Sequence, residues 1–196
     1  MVAWSIKRPD EPIPGQLEND LSGDGVVPRN LRDPANLDFR PQPGSGVIDA
    51  GLAETDAYKA ADQTKIQPPD FIGSAPDIGA YEAGNRHYWI PGRMQANAST
   101  PIPPNGAKAV KQDADLIFLE AYRANRHIVS FMNESKDHQG QIDLPESNIA
   151  APGTLRAGQK YVWRVDAVMP DGKVVKGESW TFTVENLKDT TTKDRR

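Results

Sequence analysis

Hydrophobic and polar positions alternate most regularly near the end of the chain. In residues 161–168, "YVWRVDAV", the two aromatic side chains fall on alternate positions, and residues 179–184, "SWTFTV", repeat the pattern. A period of two places alternate side chains on one face of a β-strand. Between the two segments, "MPDGK" at 169–173 carries the Pro, Asp and Gly typical of a hairpin turn. The pattern therefore predicts two paired strands that bury Trp163 and Trp180 against an opposite sheet.

Three further apolar runs lie in the same part of the chain. They occupy residues 116–122, 127–133 and 173–175, and turn-forming residues separate them. Several short strands at this spacing are typical of an all-β sandwich. The last third of the chain is therefore expected to form such a sandwich.

The first half of the chain has a different pattern. Most of the 17 prolines and 16 glycines fall before residue 107, where they interrupt both the helix and the strand period. Residues 1–36 are therefore predicted as extended coil and tight turns. Short buried strands are predicted at 47–50 and 78–81, and residues 52–63 have the composition of a short helix.

Composition excludes several classes of function. The sequence contains no cysteine, so disulfides, a thiol nucleophile and cysteine-ligated metal are excluded. The formal net charge is −4, and no block of Lys and Arg is interleaved with aromatic residues, so nucleic acid is not an expected partner. No apolar run reaches the length of a membrane span or of a signal peptide, so membrane insertion is not expected either.

Two glycine-rich segments carry a family resemblance. "DFRPQPGSGVIDAG" at 38–51 and "PDIGAYEAG" at 76–84 resemble the closing segment of secreted bacterial right-handed parallel β-helix proteins. The resemblance covers about residues 20–84 and implies a loop-rich end segment that closes a stack of β-helix coils. Such coils cannot bury their faces without stacked neighbours.

The second half resembles a fibronectin type III-like module. The lead-in "PPNGAKAV" and the terminal "LRAGQKYVWRVDAVMPDGKVVKGESWTFTV" carry this likeness. Together the two resemblances imply an all-β chain: a loop-rich β-helix end segment plus a fibronectin type III-like (immunoglobulin-like) β-sandwich. The expected domains are the β-helix end or cap segment at 1–90, a Pro-rich linker at 91–106, the sandwich at 107–186 and a disordered tail at 187–196.

The resemblances also imply a function. We expect a noncatalytic accessory region, acting as cap, spacer or carbohydrate-binding module, of a secreted or cell-surface bacterial protein that acts on polysaccharide. Its expected partners are extracellular polysaccharide or upstream β-helix coils, and its oligomeric state is open. Two alternatives remain: a fragment of a polysaccharide lyase or glycoside hydrolase whose catalytic coils lie upstream, and an adhesion or surface-anchoring module that binds protein.

Candidate binding residues cluster in "NRHYWIPGR" at 85–93. Tyr88 and Trp89 could stack on a sugar ring, while Arg86 and Arg93 could meet its carboxylates or sulfates. The competing interpretation is that these aromatics form a structural plug between the two halves. No catalytic residue is predicted in this chain.

The remaining polar residues favour structural roles. The acids Asp38, Asp49, Asp77 and Glu82 could suggest calcium or a carboxylate pair, but Asp beside glycine more often accepts backbone N–H groups in turns. No cofactor is therefore expected, with calcium as the alternative.

The three histidines, His87, His127 and His138, lack metal-ligand spacing, so no metal site is predicted. His127 is expected at a strand edge. Arg164 and Asp166 share a strand face and are expected to form a surface pair.

Overall fold

A computed structural model describes residues 25–51 and 71–186 of the chain. The predicted helix at 52–63 and the predicted tail at 187–196 lie outside the described residues, as does most of the coil predicted at 1–36. The described helices are short: α1 spans Val26–Asn30, and one 3-10 turn spans Pro34–Asn36. The strands are β1 (Leu31–Asp33), β2 (Asp38–Pro41), β3 (Ser99–Ile102), β4 (Ala107–Val110), β5 (Leu116–Leu119), β6 (Arg126–Asn133), β7 (Gln139–Leu144), β8 (Ile149–Ala150), β9 (Lys160–Val168), β10 (Val174–Val175) and β11 (Ser179–Val184). The predicted all-β class is confirmed.

The chain divides into two compact units. Of the described residues, 25–31, 40–51 and 71–84 belong to the first unit, while 32–39 and 85–186 belong to the second. The predicted domain boundaries at residues 90, 106 and 186 stay predictions.

Two sheets form the second unit. The larger has the order β4–β11–β9–β6–β7, with β10 paired to the far end of β9, and the smaller has the order β3–β5–β8. The pairing of β4 with β11 is parallel, whereas β9 pairs antiparallel with β6, β10 and β11. Inward-facing side chains of both sheets share one core, which gives the unit a sandwich-like architecture.

The core contains the aromatic residues that the alternating pattern predicts. Trp163 lies directly opposite Trp180 across β9 and β11, and their ring centroids are 4.9 Å apart in an edge-to-face arrangement. Both indoles are buried, so this prediction is confirmed. The larger buried side chains around them are Leu116, Phe118, Val129, Phe131, Leu155, Tyr161, Val165 and Phe182.

Within the second unit, polar contacts attach residues 32–39 to the sandwich. Arg32 donates a hydrogen bond to the backbone oxygen of Asp113 at 2.6 Å and forms an ion pair with Asp115 at 3.5 Å. The carboxylate of Asp33 accepts the backbone N–H of Lys111 at 3.5 Å. This short segment, which precedes the strands of the sandwich by about sixty residues, is therefore held on the sandwich by polar bonds.

Several local predictions are wrong. Residues 47–50 and 78–81 form turns and bends rather than strands, because their backbone groups bond only at isolated positions. The coil predicted up to residue 36 includes α1 and β1. The range of the predicted Pro-rich linker, residues 91–106, contains β3, which pairs with β5.

Candidate functional site

One asparagine positions the segment that carries the candidate aromatics. The side chain of Asn148, which is buried, accepts the N–H of Tyr88 at 2.8 Å and donates to the carbonyl of Tyr88 at 2.8 Å. It also donates to the carbonyl of Phe118 at 3.0 Å. An amide side chain offers one acceptor and two donors, so Asn148 can bond the N–H and the carbonyl of Tyr88 as the backbone of a neighbouring strand would. Next to it, the hydroxyl of Ser147 donates to the carbonyl of Arg86 at 2.7 Å.

The structure places Tyr88 inside the second unit. Its side chain is only 3% exposed, and its hydroxyl donates to the carbonyl of Leu37 at 2.7 Å and accepts the N–H of Phe39 at 3.2 Å. Because both ring faces are buried, Tyr88 cannot stack on a sugar, and its predicted binding role is corrected to a structural one. It holds residues 37–39 to the sandwich.

Trp89 has the opposite exposure. Its side chain is 70% exposed, whereas its neighbours Tyr88 and Ile90 are buried. Burial of the residues on either side leaves the indole of Trp89 on the solvent side of this segment. Arg86 and Arg93 are also exposed, so three of the four predicted binding residues lie at the surface.

A second exposed aromatic was not predicted from the sequence. Tyr122, in the turn between β5 and β6, is 54% exposed, and the guanidinium carbon of Arg123 lies 4.9 Å from the centroid of its ring. This distance is within the range of a cation–π contact. The only sequence signal is the adjacency of Tyr and Arg after an apolar strand.

The acids of the first unit bind backbone groups. Asp49 accepts the N–H groups of Ser74 and Ala75 at 2.8 and 3.3 Å, and Asp77 accepts those of Asp49 and Ala83 at 2.8 and 2.5 Å. The carboxylate of Glu82 accepts two more N–H groups, from Ile72 and Asp77. The backbone-accepting role is confirmed, although three of the six bonds join Asp49 to residues 74–77 rather than closing a single turn.

Glycine is required where these segments meet. A Cβ atom on Gly73 would lie 2.1 Å from Oδ1 of Asp49, and the φ angle of Gly73 is +107°. A Cβ atom on Gly51 would lie 2.6 Å from the carbonyl oxygen of Pro76, which accepts the N–H of Gly51 at 2.7 Å. Within residues 25–51 and 71–186, no group of three or more His, Asp or Glu side chains is placed to hold a metal ion. Calcium binding stays a prediction without a located site.

His127 is a core residue rather than a strand-edge residue. It lies in β6 between β7 and β9, and its Nε2 accepts the N–H of Ala121 at 3.1 Å. Its ring packs edge-on against Phe118. Burial lowers the pKa of His127 from 6.5 to about 4, so the ring is neutral at neutral pH.

His138 belongs to a chain of hydrogen bonds at the other end of the sandwich. Nε2 of His138 faces the carbonyl oxygen of Pro152 at 3.2 Å, which can only accept, so Nε2 carries the proton. Nδ1 of the neutral ring therefore accepts from the hydroxyl of Tyr161 at 2.7 Å, and that hydroxyl accepts the N–H of Arg156 at 2.9 Å. Burial raises the pKa of Tyr161, which keeps its hydroxyl protonated. The arrangement fixes the tautomer and ties two loops together.

The outer face of the larger sheet bears a shallow concavity of about 530 Å³. Exposed Met132 and Val162 supply its apolar part, and Gln139, Gln141 and Arg164 contribute polar groups. Beside it, Arg164 and Asp166 form the predicted pair, with nitrogen–oxygen distances of 2.7 and 2.8 Å. Asp166 itself is buried. Its burial alone would raise its pKa, but the hydrogen bonds from Arg164 and Gly177 outweigh burial and lower it.

Comparisons with known proteins identify no family. No protein-family model matches the sequence, and no curated protein matches it. The chain is similar to a solved structure described as "Myokine structure", with 12% identity and a TM-score of 0.38 over 47% of this chain and 100% of that one. A likeness this weak carries no argument about function. In addition, no described helix is long and apolar enough to cross a membrane.

Proposed function

We propose that the chain is a noncatalytic accessory region of a secreted or cell-surface protein that acts on extracellular polysaccharide. In this proposal it contacts the polysaccharide through Trp89. The exposure of Trp89 is the observation that carries the proposal, because its indole is 70% exposed and the backbone of the preceding residue is held by buried Asn148. A backbone that is already held in place loses little conformational entropy on binding.

The chemistry of the segment fits a sugar. The face of an indole ring is apolar and can pack against the C–H groups on one face of a pyranose, while its edge stays in water. Arg86 and Arg93, both exposed, offer planar donors that match carboxylates and sulfates. Tyr88, by contrast, is buried beneath these exposed residues and bonds to Leu37.

The finer fold assignment belongs to the same proposal. We assign the first unit to the end segment of a right-handed parallel β-helix, supported by the carboxylate bonds that join Asp49 to residues 74–77. We assign the second unit to a fibronectin type III-like domain, supported by its two sheets and shared core. As an end segment, the first unit would cap upstream coils.

Affinity electrophoresis tests the proposed contact. The purified chain is run through native gels that contain neutral or anionic polysaccharide, beside Trp89→Ala and a matched control, Val174→Ala, which shortens an exposed apolar side chain on β10. We expect retardation of the wild-type chain and of Val174→Ala, and at least a fivefold weaker affinity for Trp89→Ala, since an aromatic contact contributes about 1 kcal/mol or more. Equal migration of all three proteins on every glycan would contradict the sugar-binding role and leave a cap or spacer.

The adhesion alternative is favoured by one observation, the concavity on the outer face of the larger sheet. Its mixture of Met132, Val162 and polar side chains resembles the composition of a protein-binding surface. Adhesion to cells stripped of glycan, lost on Val162→Asp and retained by Trp89→Ala, would support this second function. Whether the parent protein is a lyase or hydrolase is decided by the upstream reading frame, which would encode stacked coils with Lys, Arg and acids on one face.

A further inference from the structure

Residues 88–95 cross the end of β5 that leads into Tyr122. Tyr88 is bonded to Asn148 beside Phe118, and a Cβ atom on Gly92 would lie 3.2 Å from Cδ2 of Leu119. Three residues later, the carbonyl of Gln95 accepts the N–H of Tyr122 at 2.7 Å. The segment that carries Trp89 therefore follows β5 out to its C-terminal turn, so Trp89 and Tyr122 lie at the same end of the second unit.

Tyr122 and Arg123 form an arranged pair at this end. Tyr122 is half exposed, and Arg123 lies over its ring, so the guanidinium is held without being buried. Arg123 has a φ angle of 63°, in the left-handed region that non-glycine residues rarely adopt. The hydrogen bond from the N–H of Tyr122 to Gln95 fixes the turn next to this residue.

The arginines of residues 86–93 and of the turn after β5 are exposed, and they differ from Arg32, Arg126 and Arg164 in their partners. Among the described residues, no carboxylate forms an ion pair with Arg86, Arg93 or Arg123. The arginines of the second unit that do form ion pairs are Arg32, Arg126 and Arg164. Three exposed arginines without a described ion-pair partner thus accompany two exposed aromatics in residues 86–93 and 122–123, on a chain whose net charge is −4. Such arginines complement an anionic ligand.

From this arrangement we propose that the binding surface extends from Trp89 to Tyr122 and Arg123, and that its ligand is a polysaccharide bearing carboxylate or sulfate groups. This inference rests on the proposed function, since it takes Trp89 as one contact of the same surface. Two exposed aromatic side chains can pack against sugar rings, and guanidinium groups pair with the repeating carboxylates or sulfates of such a chain. A neutral glycan would leave these three arginines without partners.

The test measures affinity for matched ligands. Native gels contain polygalacturonate, dextran sulfate or uncharged dextran, and poly-L-glutamate is added separately as a competitor. The variants are Arg123→Gln and Tyr122→Ala, beside Arg156→Gln as control. Arg156 is also an exposed arginine without an ion pair to a described carboxylate, but it lies at the Tyr161 end of β9, whereas the turn that carries Arg123 adjoins Val168. Thermal unfolding of each variant checks that the fold is kept.

We expect stronger retardation by the two charged glycans than by dextran, and affinity about threefold weaker in each of Arg123→Gln and Tyr122→Ala, with Arg156→Gln unchanged. Raising the salt should weaken binding of the wild-type chain more than that of Arg123→Gln. Loss of binding in Trp89→Ala but not in the two new variants would overturn the extension and leave the proposed function standing. Equal retardation by dextran would overturn the anionic class, and full competition by poly-L-glutamate would assign the surface to acidic protein. Absence of retardation by every glycan would overturn both proposals.

Discussion

The two units of this protein are held together by different forces. Among the described residues of the first unit, the buried apolar side chains are Pro41 and Val47, and the carboxylates of Asp49, Asp77 and Glu82 connect its segments through backbone N–H groups. The second unit instead buries a continuous apolar core. Hydrogen bonds are directional and few, whereas apolar burial is spread over many contacts. The first unit should therefore respond to the loss of single carboxylates, and the second to the loss of volume.

The largest expected effect comes from removing core volume. Trp163 is 1% exposed and packs against Trp180, so Trp163→Ala should lower the free energy of unfolding of the second unit by about 3–5 kcal/mol. Urea unfolding followed by circular dichroism measures this change. Val162→Ala is the control, because the neighbouring side chain is exposed and its loss should cost less than about 1 kcal/mol. Similar unfolding midpoints for the two variants would show that the apolar core does not dominate the stability of the second unit.

Acid should destabilise the second unit through His127. Its pKa is about 4 in the folded state and 6.5 in the unfolded chain, so between these values the unfolded state binds the proton. The free energy of unfolding should therefore fall as the pH drops from 6.5 towards 4, by up to about 3 kcal/mol. The lowered pKa values of Asp137 and Asp166 act below about pH 4 and leave this window to His127.

Unfolding curves measured across this pH range test the assignment. In His127→Gln the slope between pH 6.5 and pH 4 should disappear, whereas the exposed His87 is the control, and His87→Gln should keep it. A slope that persists in His127→Gln would assign the acid sensitivity to another group.

The smallest expected effect concerns one carboxylate of the first unit. Asp49→Ala removes the acceptor of the N–H groups of Ser74 and Ala75, at a cost of about 1 kcal/mol. Hydrogen exchange at these two amides should become about five- to tenfold faster, with the second unit unaffected. The matched control is Asp171→Ala, because Asp171 accepts the N–H of Lys173 at 3.0 Å in a turn supported by the pairing of β9 with β10. Unchanged exchange at residues 74 and 75 would show that the carboxylate bonds do not hold the first unit.

The parts of the fold that could be predicted are those with strong alternation. Aromatic and β-branched residues at every second position located β9 and β11, because a buried face imposes that pattern directly. The polar strand β7, "QGQIDL", was missed, since only its last residue is fully buried. The segments around residues 47 and 78 carry apolar residues between glycines, but their geometry depends on carboxylate bonds to distant backbone groups.

Prediction of the candidate site was limited in the same way. The adjacent aromatics drew attention to residues 85–93, yet nothing local distinguishes buried Tyr88 from exposed Trp89. Their different positions depend on Leu37 and Phe39, about fifty residues earlier, and on Asn148, sixty residues later. Tyr122 and Arg123 are linked to this surface through Gln95, a contact that no motif in the sequence indicates.

The three bonds of Asn148 limit how this surface can be engineered. A protein engineer who grafts residues 86–93 onto another scaffold would transfer the indole without the amide that holds the backbone of Tyr88 beside it. Replacement of Asn148 by Asp would turn donors into acceptors that face two carbonyl oxygens, and Gln would be one methylene too long for the same positions. A graft that keeps these bonds therefore needs four separate parts of the chain, namely residues 37–39, 86–93 and 147–149 and Phe118.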